Sequence, residues 1–452
     1  MEKLVKTQLQ YFNSNATKSV DFRIEQLNKF YNVLKSNEKL LEEAIYKDFS
    51  KSPFEAFQAE FVYIYEEIKI AIRDLHQWAA IKPVETNARN NPATSYIVPE
   101  PLGVSLIIGP WNYPYQLSLG PVVAAIAAGC TIILKPSELT LNCGATMAKI
   151  INDNFDEQYF KVVEGGIKET TALLDQKFDI IFFTGSVPVG KIVYQAAAKN
   201  LTPVVLELGG KSPVIIMPDS DLDISVKRLV WAKYLNAGQT CISPDYIYVH
   251  KSVEETFLQK VAKEIERSDF KIENDNYVKI VNEKNATRVA ELIDPEKVYV
   301  GGTYDITERI IAPTVLRGVT WDDKVMQDEI FGPIMAVLTF DDLDSVIEKI
   351  KERPKPLALY LFTKDEDVKK KVLNEISFGG GCINDAVMHI SNSNLPFGGV
   401  GNSGIGNYHN EAGFRAFSHY KSILDKEFVA DSEIKYSPRT AEKLEKMRSA
   451  VK

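Results

Sequence analysis

Three side chains, distant from one another along the chain, have the types that nucleophilic catalysis needs: a thiol, a carboxylate and an amide. Cys241 lies in Asn236-Ala-Gly-Gln-Thr-Cys241-Ile242, just past a predicted helix, where glycine and small polar neighbours allow a loop that presents the sulfur. Such a thiol attacks only as thiolate, so positive charge or backbone dipoles must draw its pKa below the usual ~8.5. The ordinary alternative is an inert buried cysteine, and Cys130, between Gly129 and the run Thr131–Leu134, has that setting. Glu207 interrupts an apolar strand, Pro203-Val-Val-Leu-Glu-Leu-Gly-Gly-Lys211. A carboxylate flanked by leucines at the end of a buried strand is costly unless it has a partner or a task. An ion pair with Lys211 is one resolution; the other is a general base whose pKa desolvation has raised. Asn112, in Gly109-Pro-Trp-Asn-Tyr-Pro114, is a fixed amide donor in an apolar region, or else a turn cap.

A glycine-rich turn, Thr184-Gly185-Ser186-Val187-Pro188-Val189-Gly190, follows the strand Ile180–Phe183 and leads into a helix. Close backbone approach at glycine, with the free N–H groups of a helix start, suits a pyrophosphate. The spacing is neither a P-loop nor G-x-G-x-x-G, so a tight strand-to-helix turn is the commoner reading of it alone.

The elements that must hold these groups follow from periodicity. Residues 1–80 read as helices, with Phe54, Phe57, Phe61, Ile64, Ile68 and Leu75 on one face until Pro83. The polar stretch 84–98 turns at Asn90-Asn91-Pro92 and suits a protruding hairpin. Val104–Ile108, Thr131–Leu134, Phe160–Val163, Ile180–Phe183 and Val204–Leu206 are short apolar runs of the kind buried on both faces. Helix-length segments at 117–128, 141–153, 167–175 and 188–199 separate them. A second alternation follows Gly210, through Val214–Met217, a helix near 222–236, Tyr246–His250, a helix near 253–267, and the runs Ile334–Thr339 and Leu357–Phe362. Phe378 to Gly406 is glycine-dense and reads as loop. The pattern predicts an α/β protein with two doubly wound α/β domains and a ligand cleft between them.

Composition narrows the classes. In 452 residues, 45% are hydrophobic and 25% charged, values of an ordinary globular chain. The net charge of −8 without a basic run leaves no footprint for nucleic acid. Four cysteines without a C-x-x-C pair, and five histidines without H-E-x-x-H, predict no disulfide framework, no metal and a reducing, cytoplasmic setting. Pro101–Leu134 carries no charge and is long enough to cross a bilayer, but Pro110, Pro114, Pro121, Asn112 and Gln116 interrupt it. With no signal peptide at the N-terminus, no membrane anchor is expected.

Taken in order, the motifs resemble a known family. Glu207-Leu-Gly-Gly-Lys211, and Gly238-Gln239-Thr240-Cys241 ending 34 positions beyond that glutamate, resemble the two active-site signatures of NAD(P)-dependent aldehyde dehydrogenases. Pro110-Trp-Asn-Tyr-Pro114, Leu134-Lys-Pro-Ser-Glu138, Phe183-Thr-Gly-Ser186, Glu329-Ile-Phe-Gly-Pro333 and Pro396-Phe-Gly-Gly-Val-Gly-Asn-Ser-Gly404 match in family order over most of the chain. The short N-terminus, Leu357-Ala-Leu-Tyr-Leu-Phe362, and Cys382-Ile-Asn-Asp385 with His389 look like the class 3 branch, which includes fatty and aromatic aldehyde dehydrogenases.

The resemblance implies roles. Cys241 would form a thiohemiacetal and then a thioester, Asn112 and the Cys241 N–H would hold the oxyanion, and Glu207 would activate the hydrolytic water. Lys135 and Glu138 would bind the adenosine ribose, Gly185, Ser186 and Gly190 the pyrophosphate, and Ser137, Leu208, Gly209, Glu329 and Phe331 other parts of the cofactor, the last two at the nicotinamide. Glu138 would favour NAD by repelling a 2′-phosphate, although class 3 relatives often accept NADP. From the residues themselves, Tyr113, Tyr115 and Tyr234 either wall a tunnel for a medium- or long-chain aliphatic or aromatic aldehyde or are core residues. Two departures stand out: Val187-Pro188 replaces the family's small polar residue at the phosphate turn, and Cys130 replaces a frequent asparagine. The implied organisation is a Rossmann-like cofactor domain over 1–79 and 99–208, a catalytic domain over 209–416, an oligomerisation element from 80–98 with 417–435 that forms a homodimer, and a charged tail over 436–452. An acylating dehydrogenase on the same scaffold would have no need of Glu207. Cys241→Ala is expected to abolish aldehyde-dependent NAD(P)H formation in a spectrophotometric assay, whereas Cys143→Ala and Cys382→Ala retain it; equal loss in all three would mean the nucleophile lies elsewhere.

Overall fold

The β-branched apolar runs form the strands of two largely parallel sheets in the computed structural model, which describes residues 1–430 and 432–451. Both sheets belong to one compact unit, Met1–Trp78 with Pro101–His419. The first consists of β1 (Val104–Ile108), β2 (Thr131–Lys135), β3 (Phe160–Val162), β4 (Ile180–Thr184) and β5 (Val204–Glu207), in the order β3-β2-β1-β4-β5. The short strand Gly404–Ile405 pairs antiparallel with β5 and closes that edge. Every residue of β1, β2 and β4 is buried, as strands covered by helices on both faces require. On one face Leu106, Ile108, Ile133, Ile181, Phe183 and Leu206 pack with Leu173, Val193 and Ala197 of the helices Ile167–Leu174 and Val187–Ala198. The uncharged stretch from Pro101 resolves into β1, the wholly buried helix Gln116–Ala128 and β2. Among the described residues no helix is long and apolar enough to cross a membrane.

The strand order reverses between β1 and β4, and in such sheets ligands bind outside the carboxyl ends of the strands at that switch point. The loops leaving those ends carry Asn112 after β1, Lys135 at the end of β2, Thr184-Gly185 after β4 and Glu207 at the end of β5.

Six residues beyond Glu207 the chain enters the second sheet, with β6 (Pro213–Ile216), β7 (Tyr246–His250), β8 (Val298–Val300), β9 (Thr314–Leu316), β10 (Ile334–Phe340), β11 (Ala358–Phe362) and β12 (Gly380–Ile383). Their order is β8-β9-β10-β7-β6-β11-β12, parallel except for β8. The expected α/β class with doubly wound sheets holds, with two corrections. β12 lies inside the glycine-dense run read as loop: a Cβ on Gly381 would stand 2.0 Å from the carbonyl oxygen of Leu359 on β11, so glycine here serves close strand approach. The helical face expected from Phe54 to Leu75 also breaks. A π-turn, Phe57–Phe61, interrupts the helix between Pro53–Ala56 and Val62–Trp78. The extra residue rotates Phe54 and Phe57 out to solvent, while Phe61, Ile64, Ile68 and Leu75 stay buried and Glu60 turns inward.

The second unit, Ala79–Glu100 with Tyr420–Lys452, is built on a three-stranded sheet. Lys82–Val84 pairs antiparallel with the central strand Ala93–Pro101, and Ser418–Lys426 forms the other outer strand. The helix Ala441–Ser449 buries no residue.

Candidate active site

Between the helix Leu222–Tyr234 and β7 the chain makes a left-handed turn, with φ of 53° at Asn236, 51° at Ala237 and 70° at Gly238. A non-glycine residue in that region costs about 1–3 kcal/mol and persists only where its surroundings over-determine it. Here they do. The Asn236 N–H donates to Glu55 Oε1 (3.0 Å), and its side-chain Nδ2 donates to the carbonyls of Asn112 (2.8 Å) and Gln239 (3.1 Å). Gln239 donates through Nε2 to the carbonyls of Asn236 and Lys279, and its Oε1 accepts from the Val281 N–H. A Cβ on Gly238 would lie 2.2 Å from the Gly332 carbonyl oxygen, so only glycine fits. Thr240 and Cys241 follow directly from this clamp.

Asn112 is nearly buried on the loop after β1, and its Nδ2 donates to the Gln239 carbonyl (3.1 Å). An amide has a second N–H. The neighbouring Tyr113 hydroxyl meets Thr240 Oγ1 at 2.6 Å, so the β1 loop and the cysteine loop are joined at two points. Behind them Glu60 accepts the backbone N–H groups of Tyr115 and Gln116 at the start of the helix Gln116–Ala128 (3.0 and 2.9 Å) and pairs with the fully buried Lys51 at 3.1 Å.

Cys241 is partly exposed at a cavity of about 300 Å³, lined by Tyr113, Leu117, Val62, Trp231, Ile242 and Phe397 among others. Of the three tyrosines expected to wall a tunnel, only Tyr113 does so. Tyr115 is fully buried with its hydroxyl on the Leu41 carbonyl (2.8 Å), and Tyr234 is buried with its hydroxyl on the Thr314 carbonyl (3.2 Å); both are core residues satisfied inside the protein. Trp231 and Val62 were not legible as lining residues, because their helices carry apolar residues on more than one face.

The electrostatics differ from the simplest expectation for a nucleophile. Burial pushes the Cys241 thiol up to about 12, and the carboxylates of Glu329 and Glu207 push the same way, while the N–H groups of Cys241 and Ile242 oppose them. Glu207 is buried at the end of β5 with its pKa well above the ordinary carboxylate range, by desolvation alone. Neither of its oxygens has a partner among the described residues. Lys211, the partner one reading of the sequence allowed, instead donates to Asp245 Oδ1 (2.5 Å) and to the carbonyls of Val325 and Asp328. Glu329, raised to about 8 by burial and by Asp245, lies against Gly209, where an added Cβ would be 2.1 Å from its carboxylate oxygen. Its loop is held from below: Asp245 Oδ2 accepts the Ile330 N–H (2.8 Å), and Arg288 donates to the carbonyls of Glu329, Ile330 and Phe331. Arg288 and Asp245 were not singled out from sequence, since a charged residue on an amphipathic helix and one at a strand start have no distinguishing pattern. Phe331, at a strained φ of 44°, packs edge-on against Trp111 beside Asn112, with centroids 5.2 Å apart.

The remaining expected residues lie along the carboxyl edge of the first sheet. Lys135 is buried at the end of β2, with Nζ on the Pro136 carbonyl (2.6 Å) and 3.8 Å from the half-exposed Glu138. Ser137 accepts the Leu139 N–H in the same turn. Ser186 precedes the helix Val187–Ala198 as its N-cap residue but caps none of its N–H groups. The preceding Thr184 hydroxyl is buried without a partner among the described residues. An uncapped helix start and an orphaned hydroxyl beside Gly185 fit a dinucleotide phosphate. Gly190 sits inside the helix, where a Cβ would stand 2.6 Å from Leu208 Cδ2, so its place is helix-to-loop packing rather than the phosphate turn. Leu208 is buried, its N–H on the Ser403 carbonyl. No group of metal-ligating side chains occurs among the described residues.

A Rossmann-type sheet carries at its carboxyl edge a cysteine, an amide and a glutamate without a partner among the described residues, an arrangement that suits a dinucleotide-dependent oxidoreductase. The chain belongs to the aldehyde dehydrogenase family, whose model matches residues 1–423. It is 46% identical over 433 residues to the 4,4'-diaponeurosporen-aldehyde dehydrogenase of Staphylococcus aureus (strain NCTC 8325 / PS 47), covering 95% of this chain and 94% of that one. It is 44% identical to a dimeric, NADP-preferring aldehyde dehydrogenase of Canis lupus familiaris, covering 95% and 96%. A structure of Staphylococcus aureus AldH in a substrate-bound state superposes with a TM-score of 0.97 at 44% identity, covering 100% and 99%. The protein is an NAD(P)-dependent enzyme that oxidises aldehydes to acids.

With its thiol raised to about 12, Cys241 in cofactor-free protein is expected to react with iodoacetamide ever faster up to pH 9 and beyond, without a plateau. Glu329, ionised above about pH 8, opposes thiolate formation, so Glu329→Gln is expected to shift that rate profile to lower pH. A wild-type plateau below pH 8, measured by loss of Cys241 peptide mass, contradicts this electrostatic assignment.

Proposed function

We propose that Cys241 is the nucleophile, Asn112 the oxyanion donor and Glu207 the base of a hydrolytic aldehyde oxidation. The observation that carries this reading is the juncture of three segments: Asn112 bonded to Gln239 two residues before Cys241, and Glu207 buried, unpartnered and within electrostatic range of the same sulfur. The Cys241 thiol loses its proton to water as its sulfur adds to the aldehyde carbon, and the carbonyl oxygen becomes an oxyanion that accepts the second Asn112 N–H and the Cys241 backbone N–H. Losing one such donor costs roughly 10²–10³ in rate. NAD(P)+, when bound, supplies the hydride acceptor that turns the thiohemiacetal into a thioester. Glu207 then takes a proton from the water that attacks the thioester carbon, the C–S bond breaks, and the carboxylic acid leaves. A carboxylate without partners is free to accept that proton, and its raised pKa makes it a stronger base than an exposed glutamate.

In the same reading, residues 1–79 with 99–208 form the cofactor domain and 209–416 the catalytic domain. Lys135 and Glu138 face the adenosine ribose, Ser137 another part of the cofactor, Gly185 and Ser186 the pyrophosphate, and Leu208, Gly209, Glu329 and Phe331 the nicotinamide half. The canine relative is named as NADP-preferring, while Glu138 favours NAD; both serve as cofactor in this proposal. The cavity of about 300 Å³, with apolar walls at Val62, Leu117, Trp231 and Ile242, suits a medium- or long-chain aliphatic or aromatic aldehyde. Four free cysteines suit a reducing, cytoplasmic setting.

The second unit is the dimer element. The outer strands Lys82–Val84 and Ser418–Lys426 offer sheet edges to a second copy, Leu424 and Phe428 are exposed beside them, and the canine relative is named as dimeric. Sedimentation at micromolar concentration is expected to give a dimer; a monomer rules out this role. Glu207→Gln is expected to produce NAD(P)H in one rapid burst, followed by a steady rate reduced about 10²–10⁴-fold. An unchanged steady rate in stopped-flow absorbance contradicts the base assignment.

A further inference from the structure

The segment Lys51–Glu60 belongs to none of the motifs that carry the chemistry, yet three of its charged side chains are directed into the catalytic loops. Lys51 and Glu60 are fully buried and paired at 3.1 Å, with the Lys51 ammonium 4.8 Å from the centre of the Tyr113 ring. Glu60 spends its other oxygen on the N–H groups of Tyr115 and Gln116, which fixes the chain just beyond Asn112. Glu55, one π-distorted turn earlier, directs Oε1 at the N–H of Asn236. Asn236 is the first left-handed residue of the turn, and its side chain is the bridge that binds the Asn112 carbonyl and the Gln239 carbonyl at once.

We infer that Glu55 is a positioning residue for aldehyde oxidation: by holding the Asn236 N–H it fixes the turn whose amide bridge aims Asn112 at the oxyanion, with Lys51 and Glu60 holding the facing loop. The inference rests on the reading of Asn112 as the oxyanion donor. The physical argument is that a left-handed asparagine relaxes unless its N–H and side chain are both engaged, and that relaxation releases the carbonyls of Asn112 and Gln239 together. Misplacement by about an ångström is enough to cost about a hundredfold in a well-oriented reaction. Glu55 touches neither thiol nor substrate and acts only through Asn236. Burial raises its pKa while Lys51 and the Asn236 N–H hold it down, the balance of a carboxylate kept for its contacts.

The test uses the full chain and p-nitrophenyl acetate, whose ester carbonyl passes through the same oxyanion on acylating Cys241 and needs no cofactor. The pre-steady-state release of nitrophenolate gives the acylation rate. Glu55→Ala is expected to slow it about ten- to a hundredfold, and Glu55→Gln, which keeps an acceptor oxygen for Asn236, to restore most of it. In an Asn112→Ala background Glu55→Ala is expected to cost less than twofold more, because the donor it positions is gone. Asn236→Gly, which keeps the turn and removes the bridge, is expected to show the same non-additivity, and it decides the matter if Glu55→Ala does not fold. Losses that multiply in the double variants, or a wild-type rate in both Glu55→Ala and Asn236→Gly, overturn the inference. A wild-type rate in Asn112→Ala alone overturns the oxyanion assignment instead.

Discussion

The active site depends on one strained piece of backbone, the left-handed turn Asn236–Gly238. It reverses the chain between the helix Leu222–Tyr234 and β7, and so delivers Cys241 to the carboxyl edge of the other sheet. Two non-glycine residues in that conformation are individually unfavourable by about 1–3 kcal/mol, and the turn is held by one internal hydrogen bond and four to three other segments of the chain. The strain is therefore not local to the loop. It is carried by residues 55, 112, 279 and 281, which ties the position of Cys241 to the integrity of the whole unit.

A second tension is electrostatic. Two carboxylates, both themselves raised by burial, act on the Cys241 thiol, and the groups that oppose them are backbone amides rather than a cation. Burial thus disfavours the charged form of both the thiol and Glu207.

The residues brought together here were legible from sequence where they are out of place in their surroundings. Glu207 stands out as a carboxylate between leucines, and Asn112 as an amide in an uncharged stretch. The sheets were legible from β-branched runs with regular helical spacing. What failed did so for identifiable reasons. Tyr115 and Tyr234 are near site motifs in sequence, but their hydroxyls bond backbone carbonyls of the core, and no pattern of types distinguishes a tyrosine with a buried partner from one lining a channel. β12 was hidden because its glycines mark contact with β11 rather than a loop. The turn of the face at Phe54 and Phe57 was hidden because a π-turn leaves no mark in residue types. Glu55, Lys51 and Arg288 act through backbone groups far away in sequence, which spacing alone does not reveal.

The most direct test of the clamped-turn account is to locate the covalent intermediate. Enzyme turning over an aromatic aldehyde with NAD is quenched in acid, digested and mapped by mass spectrometry. A single acyl group on the peptide containing Cys241, and on none containing Cys130, Cys143 or Cys382, is the expected result; an acyl group on another peptide, or turnover with no acyl group on any, contradicts it.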